Sequence, residues 1–86
     1  MDRLVSIKVT IHRAHGLRIV IFSDDHAPAH VHVFGDGQAK VNLAGGSGAP
    51  ELGWAVDMKR NEVRRAMAIV TEHREAFLAR WRDIHG

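Results

Sequence analysis

The first part of the chain alternates between apolar and polar residues, which is typical of β-strands. Residues 4–12 place valine and isoleucine on every second position, with polar side chains between them. Side chains two positions apart on a strand share a face, so we expect a strand with one buried face. Residues 17–23 are apolar at nearly every position and rich in β-branched side chains, which favours a central strand. The short connection ending at Gly16 predicts a hairpin between the two.

Residues 30–34 and 38–43 predict a second hairpin, closed by the glycine turn at residues 35–37. A three-residue loop with a left-handed glycine is a common hairpin type. It pairs His32 with Lys40 and collects the valines on one face, whereas a two-residue turn would mix apolar and polar side chains on both faces. The opposite face then carries four polar side chains, namely His30, His32, Lys40 and Asn42.

The second half of the chain predicts a helix. Apolar side chains recur at helical spacing across residues 58–83, and Asp57 precedes them as a candidate N-cap. Residues 51–56 are ambiguous, and we expect Trp54 to cover an edge of the core. The fold class is therefore α+β. We expect about four mostly antiparallel strands (about 4–12, 17–23, 30–34 and 38–43) followed by one long C-terminal helix (about 58–83) packed on one sheet face.

Size and composition restrict the class of protein. A chain of 86 residues predicts a single domain spanning residues 1–86, with so small a core that a homodimer or a partner complex is plausible. The absence of cysteine excludes disulfides and thiolate zinc sites. The sequence has neither the apolar run of a membrane span nor that of a signal peptide, so we expect a cytoplasmic protein without a membrane partner.

One basic cluster lies near the predicted start of the helix. Cations there oppose the helix dipole, so docking to RNA or to an acidic partner is one explanation. A solvated helix face is the commoner one, and a formal net charge of +2 does not by itself imply nucleic acid. The residues of this candidate nucleic-acid or partner patch are Lys59, Arg60, Arg64 and Arg65.

The most informative stretch is residues 23–33, which contains two acids and three histidines. His30 and His32 are two positions apart, so on a strand they lie roughly 6.5–7 Å apart and point the same way. His26 lies across the turn at Pro28 and could fold back toward them. A half-exposed strand with polar side chains outward would show the same alternation, so chemistry is one interpretation among others.

Two kinds of site fit this stretch. The first holds a divalent metal such as zinc, with His26, His30 and His32 as ligands. Asp24 or Asp25 would then be a further ligand or would orient an imidazole ring from behind. The weakness of this hypothesis is Lys40, whose ammonium disfavours a nearby dication.

The second kind of site binds an anion, above all a phosphodiester. Lys40 and Asn42 would hold the phosphate, and His30 and His32 would be the catalytic acid–base pair, with His26 assisting. These are the residue types that metal-independent RNA cleavage requires. Phe34 is the single aromatic residue that we place on the polar strand face for base stacking, since both tryptophans are assigned to the core.

The stretch from Asp25 to Val33 resembles the signature of the bacterial family catalogued as domain of unknown function 4160. Phe22 and Ser23 before it, the glycine turn and Lys40 after it are similar as well, over roughly residues 17–81. Members are small bacterial proteins that often lie beside a second small gene, in an arrangement like toxin–antitoxin modules. The resemblance thus implies a toxin-like or antitoxin-like component with a small partner protein from a neighbouring gene.

These observations lead to one main hypothesis and two alternatives. The main hypothesis is a toxin–antitoxin-like component that acts on or binds RNA or phosphate through its histidine strand. The alternatives are a non-enzymatic metal-binding module and a partner-binding protein without catalytic activity, whose edge strand extends the sheet of a partner. The sequence leaves open whether the protein is an enzyme.

Overall fold

The computed structural model describes residues 6–86, which form a five-stranded sheet followed by two helices. All strand pairs are antiparallel and adjacent strands follow chain order, so the sheet is a meander with its first and last strands at the edges. The predicted α+β class is confirmed, but the predicted four strands and single helix are wrong in number. The elements are β1 (Lys8–Ala14), β2 (Leu17–Phe22), β3 (His30–Phe34), β4 (Gln38–Asn42), β5 (Glu51–Val56), α1 (Arg60–Glu72) and α2 (Arg74–His85).

The predicted register of the second hairpin is confirmed. His32 pairs with Lys40, and Val33 pairs with Ala39. The valines of β3 and β4 lie fully buried, together with side chains from β2 and from both helices. We call this side of the sheet the core face and the side that carries His32 the histidine face. The helices supply their buried apolar residues to the core face: Ala66, Ile69, Val70, Phe77 and Trp81.

The first strand departs from simple alternation. Thr10 pairs with Val20 and His12 pairs with Ile19, which leaves Ile11 as an extra residue in a β-bulge. The bulge shifts the alternation by one position, so His12 lies on the helix side of the sheet, 4.4 Å between ring centroids from His73. Regular alternation over residues 4–12 predicts His12 on the same face as Thr10, and the bulge makes this prediction wrong. The predicted strand positions 4 and 5 lie outside the described residues.

The fifth strand is the main addition to the predicted fold. All six residues of β5 are exposed, so no burial pattern marks the strand in the sequence. The pairing of β4 with β5 is irregular between Lys40 and Val41, next to Gly53. A Cβ on Gly53 would lie 3.1 Å from the carbonyl oxygen of Lys40, so glycine suits the close approach of the two strands here.

The predicted long helix is two helices that meet at His73. This residue has φ −105° and ψ 17°, and its N–H still donates to the carbonyl oxygen of Ile69 before α2 begins. The side chain of the next residue, Arg74, donates through Nε to the carbonyl oxygen of Leu43, at 2.9 Å. The contact of His73 with His12 of β1 and the bond from Arg74 to Leu43 thus accompany the break, which helical periodicity does not reveal.

The helical segment also begins later than expected. Asp57 has φ 58°, a left-handed conformation at the end of β5, so it is not the N-cap. Lys59 occupies that position, and its N–H donates to Oε1 of Glu62 at 3.3 Å. In the described residues, no helix is long and apolar enough to cross a membrane.

Candidate functional site

Asp25 is held at the end of β2 by two hydrogen bonds to one residue. The N–H of Phe22 donates to Oδ2 of Asp25 at 3.0 Å, and the N–H of Asp25 donates to the carbonyl oxygen of Phe22 at 3.0 Å. This turn positions the carboxylate beside the first residues of β3. The orientation depends on backbone contacts within the loop, so spacing along the sequence alone does not predict it.

His30 is the most enclosed of the candidate residues, with 4% of its surface exposed. Its ring lies 5.1 Å from the ring of Trp81, which means that α2 reaches the end of the sheet where β3 begins. Nδ1 of His30 lies 2.9 Å from the carbonyl oxygen of Pro28. A carbonyl only accepts, so Nδ1 carries the proton, and in the neutral ring Nε2 presents a lone pair. The polar face of β3 therefore encloses His30 instead of exposing it to solvent.

The two histidines of β3 converge on one carboxylate. Nε2 of His30 lies 3.4 Å from Oδ2 of Asp25, and Nε2 of His32 lies 3.6 Å from Oδ1. Both separations exceed the usual 2.7–3.2 Å of a hydrogen bond. Nε2 of His32 is buried and has no hydrogen-bond partner among the described residues. The three side chains thus converge at separations longer than those of ordinary hydrogen bonds.

The spacing of these atoms fits a metal ion. One ligand atom from each of Asp25, His30 and His32 lies within 4.8 Å of the other two. Around a tetrahedral zinc ion with bonds of 2.0–2.1 Å, ligand atoms lie about 3.4 Å apart. The separations of 3.4 Å from His30 to Oδ2 of Asp25 and of 3.6 Å from His32 to Oδ1 are close to that value, each to a different oxygen of the carboxylate.

The electrostatics of His32 favour the neutral ring that a metal needs. Burial lowers the pKa of His32, and the positive charges of His30 and Lys40 act in the same direction, while Asp25 opposes them. A neutral imidazole is the form that ligates metals. Burial of His32 therefore favours the protonation state that metal binding requires.

An open pocket of about 480 Å³ lies against the three converging side chains. Lys40 and Trp54 line it from β4 and β5, and the exposed His26 lines it from the loop. Asp24 also lines it, but its carboxylate accepts a hydrogen bond from the hydroxyl of Ser6 at 2.7 Å. Among the described residues, Asp25 rather than His26 therefore completes the converging set with the two histidines of β3.

The other predicted site residues lie apart from this set. Asn42 pairs with His30 across the strands and has a buried Oδ1 without a hydrogen-bond partner among residues 6–86, but it does not line the pocket. The basic patch lies at the start of α1, which packs on the core face, so its cations and the pocket belong to opposite sides of the sheet. The patch consists of exposed Lys59, Arg60, Arg64 and Arg65.

Trp54 is the site residue that sequence reasoning missed. It was expected in the core, but it is 40% exposed and lies on the histidine face opposite Lys40. Recognising it requires the pairing of β4 with β5, and β5 has no burial pattern of its own. Phe22 was likewise not predicted as a site residue, although its ring lies 4.9 Å from that of His32.

The fold and the site together define a small α+β protein with a histidine–carboxylate cluster on its sheet. The chain belongs to the family described as Domain of unknown function (DUF4160), whose profile matches residues 16–82. The match includes all three converging residues, and it confirms the predicted resemblance. Neither a search of curated proteins nor a search of solved structures found a match.

Proposed function

We propose that the protein binds a divalent transition metal, with zinc as the best fit, through Asp25, His30 and His32. One observation carries the proposal. Nδ1 of His30 bonds to the carbonyl oxygen of Pro28, which directs Nε2 at Oδ2 of Asp25, 3.4 Å away, while Nε2 of His32 lies 3.6 Å from Oδ1. A carboxylate and two imidazole nitrogens directed at one another are a ligand set that a zinc ion takes. The carbonyl also orients the ring, as partners of metal-bound histidines commonly do.

Other features of the site agree with a metal. His32 adds a ring nitrogen, Nε2, that is buried without a hydrogen-bond partner among the described residues. Three protein ligands leave a coordination position for water or for an anionic ligand on the pocket side. The ammonium of Lys40, which disfavours a nearby dication, also lies on the pocket side. The negative charge of Asp25 offsets the charge of Lys40, and an anion in the open coordination position would pair with Lys40.

The geometry supports the metal hypothesis better than the acid–base hypothesis. A general acid or base must reach the proton of a substrate, and His30 is 4% exposed with one nitrogen bonded and the other directed at Asp25. RNA cleavage by the two histidines alone thus remains a hypothesis. Its test is whether substitution of both His30 and His32 abolishes cleavage in metal-free buffer.

The experiment for the metal centre is elemental analysis of protein purified without a histidine tag. We expect about one zinc-type ion per chain, lost in His32→Ala and in Asp25→Ala. His26→Ala is the matched control, because it removes an exposed histidine of the same pocket outside the converging set. Full metal content in folded His32→Ala would refute the centre. Loss in His26→Ala with retention in Asp25→Ala would instead favour a three-histidine ligand set.

The exposed edge of the sheet supports a second proposal, partner binding. β5 has no lysine, arginine or proline, and its apolar Leu52 and Val56 are 39% and 51% exposed. Sheet edges without such protecting residues readily pair with another strand. The partner implied by the family resemblance is the product of a neighbouring gene in a toxin–antitoxin-like module. Co-expression and co-purification test it, with growth scored for each gene alone; a symmetric homodimer is the competing outcome.

A further inference from the structure

The histidine face carries a cluster of aromatic rings around His32. The ring centroids of Phe22, Trp54 and Phe34 lie 4.9, 6.2 and 6.5 Å from that of His32. Val20, the cross-strand partner of His32, is fully buried although it lies outside the core cluster. This side of the sheet therefore has a packed aromatic layer of its own, with Trp54 as its most exposed ring.

Three cations lie among these rings. Cζ of Arg18 lies 5.4 Å from the ring centroid of Phe34, and Nζ of Lys8 lies 5.9 Å from the same centroid. Lys40 lies between His32 and Trp54 in the register. Within residues 6–86 none of the three forms an ion pair, and Nε of Arg18 is buried without a hydrogen-bond partner. Within these residues, no carboxylate therefore neutralises the three charges.

The acids near this face lie at its two ends, with Asp36 and Asp57 beside Phe34, Gln38 and Val56 at one end and the other acids at the opposite end. Asp25 belongs to the converging set, Asp24 is bonded to Ser6, and Glu51 pairs with Asn42 at the start of β5. The remaining rows of paired residues contain no acid. One row runs through Val20, His32, Lys40 and Trp54, and the next through Arg18, Phe34, Gln38 and Val56.

We infer that the histidine face binds single-stranded nucleic acid. Aromatic faces stack on unpaired bases of any sequence, and interleaved cations neutralise the phosphates. RNA-recognition motifs also have helices behind a sheet and aromatic side chains in front of it, and those side chains stack on about two or three bases. Trp54, the most exposed ring of this layer, serves as the stacking ring, while Phe34 lies under the cations of Arg18 and Lys8. Lys40, Arg18 and Lys8 contact the phosphates.

This inference names the ligand class of the proposed metal centre. It rests on that proposal only where a phosphate oxygen takes the open coordination position, since stacking and charge neutralisation need no metal. Base-paired duplex is excluded as the ligand because its bases are already stacked on one another and present no free faces to Trp54.

The test is fluorescence anisotropy with fluorescein-labelled oligouridylate, oligothymidylate and a duplex RNA, each with and without a chelator. We expect both single strands to bind and the duplex to bind far more weakly. Trp54→Ala should weaken binding at least about fivefold, and Trp54→Phe should restore most of it. Lys40→Gln should weaken binding and reduce the slope of log affinity against log salt by about 0.7.

Arg80→Gln is the matched control, since it removes one exposed positive charge from α2, outside both the histidine face and the basic patch. We expect it to leave binding unchanged. Binding that depends on Arg80 but not on Trp54 would move the surface to the helix and overturn the inference. A preference between oligouridylate and oligothymidylate would identify RNA or DNA as the source of the strand.

The two proposals fail separately. Folded protein that carries zinc but binds neither single strand refutes the nucleic-acid inference and leaves the metal centre intact. Protein that binds the strands without ever holding a metal supports the inference and refutes the metal centre. Circular dichroism of every variant confirms that it is folded before its binding is interpreted.

Discussion

Glu62 joins the start of α1 to the turn between β3 and β4, because the N–H of Asp36 donates to its Oε2 at 3.1 Å. The other carboxylate oxygen accepts from the N–H of Lys59 at 3.3 Å, so one side chain caps the helix and fixes it to the sheet. A Cβ on Gly35 would lie 2.7 Å from Oε2 of Glu62, which shows how closely the turn approaches the carboxylate.

This link predicts a pH-dependent stability. The hydrogen bond from the N–H of Asp36 lowers the pKa of Glu62, and that from Lys59 and the charge of Arg65 act in the same direction. Since the pKa is lower in the folded protein, the carboxylate stabilises the fold above its unfolded pKa, and the stabilisation is lost as the pH falls through the folded pKa. Glu62→Gln should therefore lower the Tm at neutral pH, with the difference from wild type shrinking in acid.

Thermal unfolding followed by circular dichroism at several pH values measures this effect. Glu72→Gln is the control, because it removes an exposed carboxylate near the end of the same helix. A difference for Glu62→Gln that stays constant down to acid pH would contradict the assigned role.

Gly37 should tolerate no side chain. A Cβ there would collide with the carbonyl oxygen of Val56 and lie 2.5 Å from the carbonyl carbon of Asp57. Backbone atoms of a paired strand cannot move aside as a flexible side chain can, so Gly37→Ala should cost about 3 kcal/mol or more. Urea unfolding measures this, with Gly46→Ala as control, since its Cβ meets nothing within 4 Å. Equal stability of the two variants would show that β5 does not pack against the turn.

Substitution of the two tryptophans should affect the free energy of unfolding to very different extents. Trp81 is 9% exposed in the core and packs on His30, so Trp81→Ala should cost about 3–5 kcal/mol. Trp54 is 40% exposed on an edge strand, so Trp54→Ala should change the free energy of unfolding by less than about 1 kcal/mol. Chemical denaturation of the two variants measures this difference in the free energy of unfolding. A large loss for Trp54→Ala would mean that it supports the fold rather than a ligand.

Metal should stabilise the protein through the converging set. A ligand that binds only the folded state at a hundredfold excess over its Kd adds about 2.7 kcal/mol. Zinc should therefore raise the Tm of wild-type protein, and chelator should reverse the rise. In His32→Ala the rise should disappear, whereas His26→Ala should keep it. Differential scanning fluorimetry measures all three, and an identical shift in wild type and His32→Ala would point to nonspecific zinc binding.

The sequence by itself determined the elements whose pattern of burial is regular. The register of β3 with β4 follows from the alternation of valine with polar residues, because a slip of one residue would turn the valines out of the core. The same alternation places His30 and His32 on one side. The apolar stripe likewise predicts the C-terminal helical region.

Only the tertiary structure decided the break at His73, the existence of β5 and the third member of the converging set. Packing against His12 and a bond from Arg74 accompany the break, and β5 has no buried face to leave a pattern. Asp25 joins the histidines because hydrogen bonds to the backbone of Phe22 turn its carboxylate toward β3. Such contacts depend on which residues lie close together in the folded protein, and the periodic pattern of apolar residues along the chain does not reveal them.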